Sequence, residues 1–338
     1  MGERAFYKVQ YGLENPSTHG TEVNATRIWL GSVDKVPDDH TPVYPSHNLG
    51  IRARANEGEI YQWLVDGLTL NAPENGAYFQ MLPLMMSLFF KGAVTAVEQT
   101  PSQGDYKWTF TPSLTAANNP DSATLEYGDN QQAYITKFLM AKRLVLGGSM
   151  GQNQAVRASL ECFGDKVEKT TFTAALSKPA ITPMAANLTK LYMDALWANK
   201  GTTLKTGWLR SWEVEFLNGA HPKFHGNGLT FDAHGEGYLD FMLTLELEGN
   251  ADSVALYDAS KTNPKTPYAF EIKVPGPQIG SGDTHLLKLD LWGVPEYVTP
   301  MDSDAEGDYL YKALIHGLYD PTGAAMLAAE VTTSWNAV

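Results

Sequence analysis

The segment Gly147-Gly148-Ser149-Met150-Gly151 has the G-x-S-x-G spacing with which α/β-hydrolases present a nucleophilic serine on a strand-to-helix turn. That chemistry needs a helix directly after Ser149, to lift Oγ and supply an oxyanion-hole N–H. The residues that follow, QNQAVRASLEC, alternate with period two and read as a strand, and no HGGG-like oxyanion segment precedes them. A glycine-rich hairpin turn is the reading these residues favour, with a serine hydrolase using Ser149 as a lesser alternative. Asp302-Ser303-Asp304-Ala305-Glu306-Gly307-Asp308 opens like a calcium loop, but the twelfth position, where a bidentate carboxylate belongs, is Ala313. Whether the 302–308 loop binds calcium is open; the competing reading is a solvated acidic loop. His221 and His225 have an H-x3-H spacing that suits a metal only on a helix, and Pro222 and Gly226 oppose one; with His234 they read as loop histidines. Gly280-x-Gly282 has no preceding βαβ context and no following lysine, so nucleotide binding is unsupported. No catalytic, cofactor-binding or metal-binding residue is therefore nominated, no cofactor is expected, and the chain is not expected to be an enzyme. Eight tryptophans could form a sugar-binding platform, which keeps a carbohydrate-binding β-sandwich as the second function class; most fall on expected strands, where core packing explains them first.

Around these residues the sequence sets limits. At 338 residues the chain is about twice a usual domain, and its 43% apolar content can bury a real core. No stretch reaches the roughly 18 consecutive apolar residues of a membrane span, and the segment MGERAFYKVQYG has no apolar signal region. Cys162 is the only cysteine, so no intrachain disulfide or thiolate cluster can form, which suits folding in a reducing cytoplasm. The net charge of −13 is uneven: residues 1–204 carry 17 Lys and Arg against 19 Asp and Glu, residues 205–338 carry 8 against 19. An acidic half argues against gripping DNA through its phosphates, but not against a wall past which DNA slides.

The elements that must position any site are mostly strands. Trp212, Val214 and Phe216 alternate with polar neighbours, as do Phe241, Leu243, Leu245 and Leu247; Val156 to Cys162 and Tyr268 to Val274 repeat the pattern. This is the mark of half-buried antiparallel strands. Residues 77–91 are apolar nearly all round, with Pro83 suited to a first turn and Lys91-Gly92 as a stop, and predict a short buried helix. A weaker helix is expected over Ala305 to Gly317. Residues 1–28 and the proline-rich 34–48 read as extended arms, ordered only against a partner. An echo links 137–167 with 207–219 and 238–254; duplication of one β unit and convergence of hairpins explain it equally well.

In order and texture the chain resembles the tail tube proteins of long, non-contractile-tailed bacteriophages. The resemblance rests on YGLENPSTHGTEVNATRIWLG (11–31), the apolar segment closing in FFKG (89–92), WTFTPS (108–113), TLEYGDN (124–130) and two later β units with aromatic-rich strands before Gly turns. It implies a mainly β fold, an antiparallel sandwich of the tail-tube type with a short packed helix and long extended loops, whose sheets join across subunits into a closed barrel. Many such proteins are shorter, which leaves open a duplicated tube unit or an appended β domain. The expected division is 1–180, a tube-like domain with its N-terminal arm, and 181–338, a second β domain.

The resemblance also implies a virion protein assembled in a bacterial cytoplasm. Its partners would be itself in stacked rings, a tape measure protein, and tail completion or terminator proteins, with double-stranded DNA passing unbound and no membrane involved. Glu213, Glu215, Glu246 and Glu248, on the polar rows of two alternating strands, are the candidate lumen-facing carboxylates; Tyr11, Asn15, Pro37, Pro42 and Tyr44 are the candidate inter-ring contacts. Removal of residues 1–12 is expected to leave a folded monomer that cannot polymerise.

Overall fold

The computed structural model describes residues 6–34, 36, 39–43, 59–151, 154–226, 228–303, 307 and 309–338. The fold is mainly antiparallel β. The first strands are β1 (Lys8–Leu13), β2 (Arg27–Trp29), β3 (Ser32–Asp34), β4 (His40–Val43), β5 (Glu59–Trp63) and β6 (Val65–Asn71), followed by α1 (Leu82–Phe89). Next come β7 (Val97–Glu98), β8 (Tyr106–Phe110), β9 (Ala123–Gly128), β10 (Ala133–Ser149), β11 (Arg157–Gly164), β12 (Val167–Thr170), β13 (Lys190–Asp194) and β14 (Leu204–Lys205). The last part holds β15 (Leu209–Leu217), β16 (His221–Lys223), β17 (Ala233–Gly235), β18 (Asp240–Glu248), α2 (Ala251–Lys261), β19 (Tyr268–Gln278), β20 (Thr284–Ser303), β21 (Tyr309–Gly317) and β22 (Leu327–Thr333).

The main sheet runs β3-β6-β11-β10-β15-β18-β21-β20, each neighbour antiparallel to the next. Among the described residues no strand pairing links β20 back to β3. The strands β10 and β20 are long enough to serve two sheets. The first half of β10 pairs with β9 and β12, and β9 continues to β1 and β2. The first half of β20 pairs with β19 on one side and β22 on the other, and these continue to β13 and β8. One hydrophobic cluster joins the buried row of the main sheet to α1 and to both outer sheets. The expected 180/181 division lies between β12 and β13, and the sheet crosses from one side to the other through the β10–β15 pairing.

The alternating segments form the strands their period dictates. In β18 every second residue from Phe241 to Leu247 is buried, and in β15 Trp212, Val214 and Phe216 are. All eight residues of α1 are buried, so its stability comes from surrounding apolar surface, about 1.5–3 kcal/mol for each large side chain, and not from caps. The helix is shorter than 77–91 because Tyr78 is held in a bridge to Pro183, and Pro83 has to sit in the first turn.

Four expectations are corrected. Residues 309–317 form β21, not a helix, with Ala313, Ile315 and Gly317 buried in alternation. The second helix is instead α2, capped by Asn250 accepting a bond from the Ser253 N–H. The N-terminal arm is built into the fold: β1 lies between β2 and β9, with Val9 and Tyr11 in the core. Its turn is clasped by buried Glu14, which accepts bonds from Gly20 N (2.7 Å), Phe138 N (2.8 Å), Ser122 Oγ (2.6 Å) and Thr124 Oγ1 (3.0 Å). Removal of residues 1–12 would take Lys8–Gly12 out of the sheet and Val9 and Tyr11 out of the core. Last, the echo between 137–167 and 207–254 aligns β10 and β11 with β15 and β18, which occupy different places in the sheet. From the second arm, Pro42 lies in β4, paired with β5; residues 35, 37, 38 and 44–48 lie outside the described residues.

Candidate functional site

The polar face of the main sheet brings the candidate carboxylates together. Directly opposed residues share a face, so the strand registers lay out its rows. One row runs Asp34, Thr69, Glu161, Arg143, Leu217 and Asp240; the next runs Ser32, Asn71, Ser159, Val145, Glu215, Met242 and His316. Further along, Arg157, Gly147, Glu213, Thr244 and Leu314 form a third row, and Ser149, Ser211, Glu246 and Lys312 a fourth. Glu248 lies one step beyond, opposite Leu310. The four candidate carboxylates therefore share one face, as their alternation required. The rows hold seven carboxylates (Asp34, Glu161, Glu213, Glu215, Asp240, Glu246, Glu248) against Arg143, Arg157 and Lys312.

The face is not a bare acidic wall. Arg143 Nε lies 2.5 Å from Glu215 Oε1, and this bond pushes the arginine's pKa further up. Lys142 bridges Asp66 at 2.6 Å and Glu161 at 3.1 Å; burial opposes its charge, but the two carboxylates win and raise its pKa. Glu246 accepts a bond from Ser211 Oγ at 2.6 Å and has Lys312 Nζ at 3.7 Å, while Glu248 pairs with Arg210. Of the four, Glu213 is the most exposed and takes part in none of the ion pairs among the described residues. These partners come from strands far apart in sequence, which is why the alternation alone did not reveal them.

At one end of the face an open groove of about 960 Å³ is lined by Gly147, Ser149, Arg157, Glu213, Glu246 and the turn after β6. Ser149 thus lies on the groove, at the last position of β10, and among the described residues between it and β11 there is no helix to form a nucleophile elbow. No histidine among the described residues lines the groove. Gly147 has a structural reason: a Cβ there would lie 2.9 Å from the Trp212 carbonyl oxygen, so the glycine lets β15 close on β10.

The remaining candidates are dispersed. Tyr11 is in the core, which removes it from any contact between rings; Asn15 and Pro42 are exposed; Pro37 and Tyr44 lie outside the described residues. Of the acidic segment 302–308, Asp302 and Ser303 are the last two residues of β20, and Asp304, Glu306 and Asp308 lie outside the described residues. His221 and His234 occupy the two strands of the β16–β17 hairpin, and His225 bonds Asp232 at 2.7 Å. Burial, helped by His19 nearby, lowers the His234 pKa. No cluster of three or more metal-ligating side chains occurs among the described residues. Trp29, Trp108, Trp208, Trp212 and Trp292 are buried in the core and offer no stacking platform. No helix among the described residues is long and apolar enough to cross a membrane.

No family model matches this chain, and no curated protein matches it.

Proposed function

We propose that this chain is a structural virion protein that assembles with copies of itself into stacked rings, forming the tail tube of a long, non-contractile-tailed bacteriophage. The observation that carries the reading is the main sheet. It has eight strands, one face packed on the core, a broad ion-paired polar face with excess carboxylate, and outer edges at β3 and at the second half of β20 that pair with no further strand among the described residues. Unpaired edges are a liability in a lone soluble protein and are resolved when copies close around an axis. The polar face would then line the channel. Its carboxylate excess repels phosphates, and Lys142, Arg143, Arg210 and Lys312 are engaged by neighbouring acids, so DNA passes with little adhesion. In this reading a tape measure protein and tail completion or terminator proteins are further partners, the DNA is a transient one, and assembly takes place in the host cytoplasm. Negative-stain micrographs of concentrated protein test it: hollow rings or tubes support the reading, and particles that stay single at every concentration reject it.

A further inference from the structure

The main sheet is two four-stranded units of one design. In the first, β3 pairs with β6, a helix follows β6, and the long β10 pairs with β11, giving the order β3-β6-β11-β10. In the second, β15 pairs with β18, a helix follows β18, and the long β20 pairs with β21, giving β15-β18-β21-β20. The registers superpose residue on residue except at two bulges without a counterpart, Cys162/Phe163 in β11 and Thr299/Asp302 in β20. Val33, Leu70, Leu160 and Leu144 form one continuous buried line across the first unit; Trp212, Leu245, Ala313 and Val298 form its counterpart in the second. Even the bulge recurs, at Ala141/Arg143 in β10 and Pro295/Tyr297 in β20, three residues before Leu144 and Val298 respectively.

The units are joined inside the chain by one contact, the last strand of the first against the first strand of the second, β10 against β15. The outer edges left over are the first strand of the first unit, β3, and the last strand of the second, β20. We propose that β20 of one copy receives β3 of the next in the geometry of the β10–β15 joint, so that the chain carries its own template for ring formation. This rests on the tube reading and specifies the contact within it. The partner is a second copy of this chain, bound head to tail.

The helices support the occupant. At the internal joint α1 is wholly buried, and the chain leaving it meets β15: Phe90 lies edge-on to Phe216 with ring centroids 5.1 Å apart, and Asn218 Nδ2 donates to the Phe89 carbonyl at 2.8 Å. In the equivalent place α2 buries only Ser253, Leu256, Ala259 and Ser260 and leaves Val254 45% exposed, as expected of a helix whose covering unit is absent. Tyr297, near the start of the free β20 edge, is 53% exposed, and Val36, just past β3, is 38% exposed.

The equivalence fixes a register. Val33 matches Trp212, so Val36 matches Glu215; Glu215 pairs with Val145, whose counterpart is Thr299. The test is the double variant Val36→Cys/Thr299→Cys, oxidised mildly in the assembled state. Cys162 is fully buried, with burial raising its thiol pKa, and does not compete. The expected result is a covalent ladder of successive multiples from the double variant, nothing from either single variant, and dimer alone from a mixture of the two singles. Wild-type protein gives a reading that needs no variant: amides of residues 294–303 should become protected from hydrogen exchange on assembly. Tubes that form while these amides exchange as in the free chain and the cysteines stay apart would overturn the joint and leave the tube reading intact. Dimers from a single variant would mean a two-fold contact and overturn it too. Absence of any assembly would remove both.

Discussion

Replacing Glu14 by alanine tests whether the N-terminal arm is part of the fold of a single chain. Its carboxylate is 3% exposed and takes four hydrogen bonds, two from the backbone N–H groups of Gly20 and Phe138 and two from the hydroxyls of Ser122 and Thr124. Phe138 has a φ of 52°, in the left-handed region a phenylalanine rarely adopts, at the bulge where β10 leaves the outer sheet. The two hydroxyls can turn to other acceptors after the substitution, but the two N–H groups cannot. Each stranded donor costs about 1–3 kcal/mol, and the charge-assisted bonds lost add to that, so about 3–5 kcal/mol is expected. That is a large fraction of the roughly 5–15 kcal/mol that holds a domain together. Urea unfolding at protein concentrations too low for assembly measures it, with the exposed Glu22→Ala as a control expected within about 0.5 kcal/mol of wild type. A Glu14→Ala loss no larger than the control's would refute the reasoning, because the arm would then be ordered by something other than this clasp.

The polar face gives a graded pair. Glu213→Lys should leave stability nearly unchanged and make assembled tubes retain DNA at low salt, with retention falling steeply as salt rises. Glu215→Lys sets a second cation beside Arg143 and should cost about 1 kcal/mol more in unfolding than Glu213→Lys; equal losses would mean the ion pair is idle. Asp290 gives a pH signature. Burial raises its pKa, and Glu271, directly opposite across the β19–β20 ladder, adds to the rise against the pull of Lys288. The folded state holds that proton more tightly than the unfolded chain, so the stabilisation is complete below the ordinary value of 3.8 and fades as pH rises through the elevated one. Wild-type stability should therefore decline relative to Asp290→Asn across that window and run parallel above it; an opposite slope contradicts the assignment. Asn250→Ala removes the cap of α2 and should cost about 1 kcal/mol in the same unfolding assay.

What could be read from the sequence was whatever depends on local period. The rows Trp212-Val214-Phe216 and Phe241-Leu243-Leu245-Leu247 alternate cleanly, and the strands and their polar face follow from that. The apolar run around α1 could only be a buried helix. The failures have physical causes. In the N-terminal arm the polar residues Gln10 and Glu14 are buried, and apart from Gly20 their side-chain partners lie more than a hundred residues away, so composition read as an arm what is a core strand. For α2, four buried positions in eleven make a weak apolar stripe, and the Asn250 cap was the signal to notice. Arg143 meets Glu215 across 72 residues, so strand alternation told which face the glutamate occupies but not what neutralises it. The repeat of strand order and register in the main sheet lies in backbone pairing, which side-chain types do not record, so a comparison of letters paired strands that only look alike.

The central claim is assembly through the two free edges of the main sheet, and imaging of concentrated wild-type protein tests it most directly. Cryo-electron micrographs should show hollow stacked rings whose averaged wall is a continuous β-barrel, with β20 of each copy against β3 of the next and the Glu213 row facing the channel. Rings in which those edges stay unpaired, or the Glu213 row lies on the outer wall, would contradict the account.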